Sequence, residues 1–243
     1  MQPKDRLIFP LDVPNRLEAE RFIELLKGEV GLFKVGLELF MAEGPRFLQF
    51  MTDTAVDYFL DLKFHDIPAT VLSAQAKILK GAKLATVHVD QGRTMLKANI
   101  AALKNGVKVL GVTVLTHLGS DDLEAMGIAP ELAKNPTNLV LLRARLAKEA
   151  GCDGVVCAGS EAKAVKDEFG KDFLVVCPAI RPAWASVPSD DQRRITTPYD
   201  AIKAGADYIV VGRPIRLAEN PRDAARRIVA EIEKALAASA VGS

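Results

Sequence analysis

Three features of this sequence predict an α/β protein folded as a closed barrel: short apolar runs, longer stretches of helical spacing between them, and regular alternation of the two along the chain. The runs are LIFPLDV (7–13), LFKVGL (32–37), VDYFLDLKF (56–64), LATVHVD (84–90), KVLGVTVL (108–115), GVVCAG (154–159), FLVVCPA (173–179) and YIVVGRP (208–214). Between them lie amphipathic segments such as RLEAERFIELLKGE, with apolar positions at Leu17, Phe22, Leu25 and Leu26, and the closing PRDAARRIVAEIEKALAA. Eight βα units without a linker predict a single (β/α)8 TIM barrel, with residues 1–243 as one domain. An open doubly wound sheet would usually carry a Gly-rich turn after its first strand, and here that turn reads Asp12-Val13-Pro14-Asn15.

Composition bounds the class. A chain of 243 residues can bury about three quarters of its unfolded surface. With 49% hydrophobic and 26% charged residues it fits a soluble globular protein. Lys plus Arg number 32 against 31 Asp plus Glu, so no broad positive surface is available for nucleic acid or anionic lipid, and any anion site must be local. The apolar runs, YIVVG among them, fall far short of the roughly 20 residues that span a bilayer. Cys152, Cys157 and Cys177 lack metal-ligand spacing, and MQPKDRLIFP lacks the apolar run of a signal peptide. The expectation is a reduced, cytoplasmic protein with no membrane or nucleic-acid partner.

Two connections are long: THLGSDDLEAMGIAPELAKNPTN after the fifth run and 180–196 after the seventh. Both follow strand C-termini, the barrel face on which enzymes build their sites. The second carries Arg181, Gln192, Arg193 and Arg194 and reads as a lid.

Side chains alternate across a strand, so in VDYFLDLKF the residues Tyr58, Leu60, Leu62 and Phe64 share one face and Phe59, Asp61 and Lys63 the other. The apolar face should meet the helices. Asp61 and Lys63 then point into the barrel mouth, and Asp66 follows where the chain turns into a helix opened by Pro68. The same parity sets Asp12 with Ile8 and Pro10, and Lys34 with Leu32 and Gly36. Taken singly, each charge would pass for a surface group or a structural ion pair. Five at strand C-termini point to a site, because burying ion pairs for stability alone is poorly rewarded.

The string Asp61-Leu62-Lys63-Phe64-His65-Asp66-Ile67-Pro68 resembles the Asp-x-Lys-x-x-Asp signature of the orotidine 5′-monophosphate decarboxylase family. Leu11-Asp12-Val13, Phe33-Lys34-Val35-Gly36, the stretch from Thr113 to Leu118, Pro178-Ala179-Ile180-Arg181-Pro182, Asp191-Gln192-Arg193-Arg194 and Val211-Gly212-Arg213-Pro214-Ile215 resemble its other blocks, in the family's order. The resemblance spans essentially the whole chain.

It implies a cofactor-independent, metal-free decarboxylase acting on a pyrimidine nucleotide in UMP biosynthesis. Lys63 would stabilise charge at C6 and deliver the proton, held by Asp61 and Asp66. Arg181, Gln192, Gly212 and Arg213 would bind phosphate, Asp12 and Lys34 the ribose hydroxyls, and Thr70 and Thr116 would complete the nucleotide contacts. Asp66 and the residues just after it would reach into a neighbouring subunit's site, implying a homodimer.

Two departures carry expectations of their own. Ala179 stands where many relatives have Gly, which makes a left-handed backbone there unexpected. His88-Val89-Asp90-Gln91-Gly92 replaces a small-residue version of that block, and Asp90 receives no role. The nearest alternative is a metal-dependent sugar-phosphate decarboxylase, but such relatives carry an acidic metal ligand on strand two, where this sequence has Lys34. A non-catalytic nucleotide-binding barrel would have no reason to keep Lys63 between two carboxylates. His65, His88 and His117 make no recognisable metal set, Cys157 and Cys177 read as core thiols, Trp184 as lid packing, and Asp121 to Glu124 as a solvated helix start.

Overall fold

The structure, a computed structural model, describes residues 1–78, 81–103, 106–185 and 194–241. A 3-10 turn (Pro3–Arg6) leads into β1 (Leu7–Pro10), α1 (Arg16–Leu26), β2 (Leu32–Val35), α2 (Leu37–Glu43), α3 (Pro45–Asp53) and β3 (Tyr58–Phe64). There follow α4 (Pro68–Ile78), β4 (Ala82–His88), α5 (Arg93–Leu103) and β5 (Lys108–Val112). The long connection after β5 carries two short helices, α6 (Ser120–Ala125) and α7 (Pro130–Ala133), before α8 (Pro136–Ala150) and β6 (Gly154–Val156). A second 3-10 turn (Gly159–Glu161), α9 (Ala162–Phe169), β7 (Leu174–Cys177), α10 (Pro198–Lys203), β8 (Tyr208–Val210), α11 (Arg213–Arg216) and α12 (Pro221–Val241) complete the order.

All strands pair in parallel, each with its sequence neighbour, and β1 pairs with β8 to close the barrel. Local chemistry marks the helix ends. Asn15 caps α1 by accepting from Glu18 N, Thr197 caps α10 by accepting from Asp200 N, and Gly151 ends α8 with φ 99°.

Period-two alternation sorts the strand residues into two cores. Ile8, Leu32, Phe59, Leu84, Leu110, Val176 and Val210 fill the barrel interior. Their neighbours, Leu7, Phe9, Phe33, Tyr58, Leu60, Val109, Val175 and Ile209 among them, face outward beneath the helices. Each fully buried side chain of this size contributes about 1.5–3 kcal/mol. Cys152, Cys157 and Cys177 form no disulfide among the described residues and are buried in the outer core.

Several strands stop short of the sequence-predicted ends: β1 at Pro10, β2 at Val35, β6 at Val156, β7 at Cys177 and β8 at Val210. The residues beyond leave the ladder at the barrel's C-terminal mouth, although Leu11 N still donates to Lys34 O at 2.8 Å. Asp12, Gly36, Ala179 and Gly212 are thereby released into the turns that line the mouth.

Strand β3 departs from regularity in the opposite way. Leu60 pairs with Ala85 and Phe64 with Val87, so three residues of β3, Asp61 to Lys63, stand opposite the single residue Thr86. This bulge turns Lys63 into the left-handed region, φ 51°, and its N–H donates to Thr86 Oγ1 at 3.0 Å rather than to the ladder.

Candidate active site

A cavity of about 320 Å³ opens at the C-terminal mouth of the barrel. Its floor is the top of the interior core, where Phe59, Val112, Val156, Val176 and Val210 meet it. One wall carries Asp12, Lys34, Asp61 and Lys63, contributed by β1, β2 and β3 or the turns after them. Facing segments from the ends of β5, β7 and β8 supply Thr116, His117, Arg181, Gly212, Arg213 and Arg216.

The first wall is a chain of alternating charge. Lys34 Nζ lies 3.1 Å from Asp12 Oδ1 and 3.6 Å from Asp61 Oδ2, and Lys63 Nζ lies 2.9 Å from that same Asp61 oxygen. Asp61 Oδ1 accepts from Thr86 Oγ1 at 2.9 Å. Burial alone would raise the Asp61 pKa, yet the charges of Lys34 and Lys63, with hydrogen bonds from Lys63 and Thr86, hold it below the usual carboxylate value. Burial likewise pushes Lys34 down, and the carboxylates of Asp61 and Asp12 more than reverse this, leaving it above an ordinary lysine. The outer members are wetter: the Lys63 side chain is 30% exposed and that of Asp12 48%. Lys63 therefore presents its ammonium to the cavity while tethered from behind.

Among the described lining residues, five cationic side chains (Lys34, Lys63, Arg181, Arg213, Arg216) face two carboxylates (Asp12, Asp61). The chain as a whole is nearly neutral, so this concentration is local, as its composition required. Gly212 lets the backbone after β8 pass close to β1, since a Cβ there would lie 2.8 Å from Pro10 Cγ. Among the described residues no group of three or more His, Cys, Asp or Glu side chains is placed to hold a metal ion.

The sequence-predicted residues divide into three sets. Asp12, Lys34, Asp61, Lys63, Thr116, Arg181, Gly212 and Arg213 line one cavity. Asp66 and Thr70 do not. Asp66, on the turn from β3 into α4, and Thr70, in the first turn of α4, are exposed outside the cavity lining, and the Asp66 carboxylate accepts from Ile67 N at 2.6 Å. Among the described residues, Asp61 is the carboxylate on which Lys63 rests. Gln192 lies outside the described residues, as do Asp191 and Arg193.

Ala179 corrects an expectation. It adopts φ 59°, the left-handed conformation that its Cβ had argued against. Flanking contacts impose it: Ile180 bridges to Thr196, and Arg181 N donates to Thr196 O at 2.9 Å, so the chain must turn sharply at 179 to bring Arg181 over the mouth. An alanine holds this geometry at about 1–2 kcal/mol.

Residues to which sequence reasoning gave no catalytic or binding role complete the surroundings. Thr86 shares the inward parity of Leu84, and the alternation test applied to the fourth run would have found it. Arg216 sits one turn after Arg213, and that spacing was the available signal. Glu161, almost wholly buried, pairs with Arg194, whose guanidinium also donates to the carbonyls of Val114 (3.0 Å) and Leu115 (3.1 Å), just before Thr116. No local pattern announces this long-range pair. Trp184 packs the loop after β7 onto α12, donating to Glu231 Oε1 at 2.8 Å beneath the Arg227 guanidinium. Asp90 pairs with the buried Arg143 at 3.2 Å.

Comparison with known proteins places this geometry in context. The family model described as orotidine 5′-phosphate decarboxylase / HUMPS matches residues 5–228. An orotidine 5′-phosphate decarboxylase of Desulfosudis oleivorans is 48% identical over 237 residues, covering 96% of this chain and 95% of its own. One from an Anaeromyxobacter species is 46% identical over 231 residues, covering 95% and 99%. The crystal structure of the Lactobacillus acidophilus orotidine 5′-phosphate decarboxylase superposes with a TM-score of 0.79 at 34% identity, over 93% of this chain and 98% of that one.

Proposed function

This chain belongs to the orotidine 5′-phosphate decarboxylase / HUMPS family, and on that premise we propose that it converts orotidine 5′-monophosphate to UMP and carbon dioxide, the last step of de novo UMP synthesis. The observation that carries the reading is the Lys63 ammonium, tethered to Asp61 at 2.9 Å and presented to a cavity whose facing segments carry three arginines.

The reaction breaks the bond between C6 and its carboxylate and leaves the electron pair on an sp² carbon. No cofactor is needed as an electron sink if the developing charge meets a fixed cation, and about 20 kcal/mol or more must come from such positioning and electrostatics. Lys63 meets the charge and then transfers a proton from Nζ to C6, giving UMP, and solvent restores the ammonium. Asp61, fixed by Thr86 and Lys34, holds Lys63 without leaving the cavity wall. The substrate's phosphomonoester and carboxylate together carry a charge of about −3, which matches the excess of cations over carboxylates in the lining.

Arg181, Arg213, the backbone at Gly212 and Gln192 bind the phosphate, Asp12 and Lys34 the ribose hydroxyls, and Thr116 the base side. Binding energy from the remote phosphate can then be used at C6.

The protein works as a homodimer in which Asp66, with Thr70 beside it, completes the neighbouring subunit's site. Their exposure on the turn after β3 and the first turn of α4, outside their own cavity, supports this. So do the exposed apolar side chains Leu37, Met41, Ile67 and Leu72 on α2, α4 and the turn before α4, which leave the same end of the barrel. Each chain contributes a single barrel domain to this dimer. Buried cysteines without a disulfide fit a reducing cytoplasm, and no described helix is long and apolar enough to cross a membrane.

The test is direct. Purified protein given orotidine 5′-monophosphate with excess chelator should convert it to UMP, read from the change in absorbance. A folded protein that converts none overturns the assignment.

A further inference from the structure

Asn99, on the inner face of α5, is fully buried although it carries an amide. A buried amide is costly unless its hydrogen bonds are made. Here the donor end makes them. Nδ2 donates to the main-chain carbonyl of Asp66 at 3.2 Å and to Gln91 Oε1 at 2.6 Å, while among the described residues Oδ1 finds no partner. Gln91 Nε2 in turn donates to the carbonyl of His88, the last residue of β4. A continuous set of bonds thus runs from the end of β4 through two side-chain amides to the turn that carries Asp66.

An apolar residue would bury more cheaply at position 99, and Gln91 stands in a block where the family resemblance leads one to expect small residues. The two amides reach no part of the cavity lining. What they fix is the peptide of Asp66, whose carboxylate is further held by Ile67 N–H. We propose that Asn99, locked by Gln91, is a positioning residue that aims the Asp66 carboxylate out of its own barrel and into the neighbouring subunit's site. The inference rests on the shared-site dimer described above.

That dependence supplies a test that a merely structural role would not pass. Asn99→Ala chains should form dimers with kcat reduced about tenfold, each site lacking a well-placed Asp66 from its neighbour. Mixed with an excess of inactive Lys63→Ala chains, each Asn99→Ala chain enters a hybrid dimer. There its own Lys63 meets an Asp66 that an intact Asn99 positions, so activity per Asn99→Ala chain should rise severalfold towards that of a wild-type site. An Asp66→Asn chain mixed with Lys63→Ala serves as the control, with exchange verified by co-purification of differently tagged chains. Recovery in the control but none with Asn99→Ala overturns the inference, because the defect then lies within the chain's own barrel. An unchanged kcat in Asn99→Ala overturns it as well. Recovery in neither mixture overturns the shared site and the inference with it. Should Asn99→Ala fail to fold, Gln91→Ala, at a half-buried position, must show the same rescue at a smaller amplitude, and its absence counts against the proposal equally.

Discussion

Lys63 Nζ lies 2.9 Å from Asp61 Oδ2 although the two residues are only two positions apart on a strand. Regular pleating would hold their side chains parallel. The bulge that sets three residues opposite Thr86, and the left-handed turn at Lys63, bend the lysine stem back onto the carboxylate. Local strain, offset by the two bonds to Thr86, therefore shapes the wall of the cavity.

Thr86 should consequently matter more than a buried threonine usually does. Thr86→Val keeps the volume but leaves Asp61 Oδ1 and Lys63 N–H without their partner, which costs about 1–3 kcal/mol. Denaturant unfolding should show that loss, and kcat should fall about tenfold. A variant with unchanged kcat would remove Thr86 from the support of Lys63.

Gly212→Ala should disturb the phosphate end. The added methyl would lie 2.8 Å from Pro10 Cγ, so the turn after β8 must move. Overpacking of this kind costs about 1–3 kcal/mol. The expected result, read by steady-state kinetics, is a raised KM with a smaller fall in kcat; unchanged constants would refute close backbone approach at this turn.

Ala179→Gly should be tolerated or stabilising. Relief of about 1–2 kcal/mol at φ 59° is set against about 0.4–1 kcal/mol of added chain entropy in the unfolded state. Thermal unfolding should show Tm unchanged or raised by a few degrees, with turnover kept. Ala179→Val should lower Tm, since branching makes the left-handed backbone harder to hold. A fall in Tm for the glycine variant would contradict the strain.

The charged wall also sets how stability depends on pH. Lys34 has a folded pKa above its ordinary 10.5, so its contribution is complete below pH 10.5 and is lost as pH rises through the folded value. Asp61 is held below 3.8, so its contribution is present above that pH and lost as pH falls through the folded value. Thermal unfolding across pH should find the alkaline loss smaller in Lys34→Met. The same alkaline slope in both proteins would mean that Lys34 does not contribute there.

How much of this was legible in the sequence follows from the physics of each part. The strands and the inward placement of Asp12, Lys34, Asp61 and Lys63 are consequences of period-two alternation, which a sequence displays directly. The sequence extends the strands too far because the apolar–polar–apolar alternation of Leu11, Asp12 and Val13 continues after the chain has left the ladder. The position of Asp66 outside its own cavity is not legible in the spacing of the motif either. Spacing of three residues says nothing about a bulge at Lys63 or about an amide on α5 that holds the Asp66 carbonyl. Ala179 shows tertiary contacts overriding a residue's backbone preference, and the Glu161–Arg194 pair joins segments that no window of sequence holds together.

The role of Lys63 is tested most directly by Lys63→Ala assayed beside the wild-type protein, with UMP binding measured on both to show that each site is folded. The account predicts that turnover falls by about 10³-fold or more while UMP still binds. Turnover within tenfold of wild type in a variant that binds UMP would show that the proton and the charge stabilisation come from elsewhere.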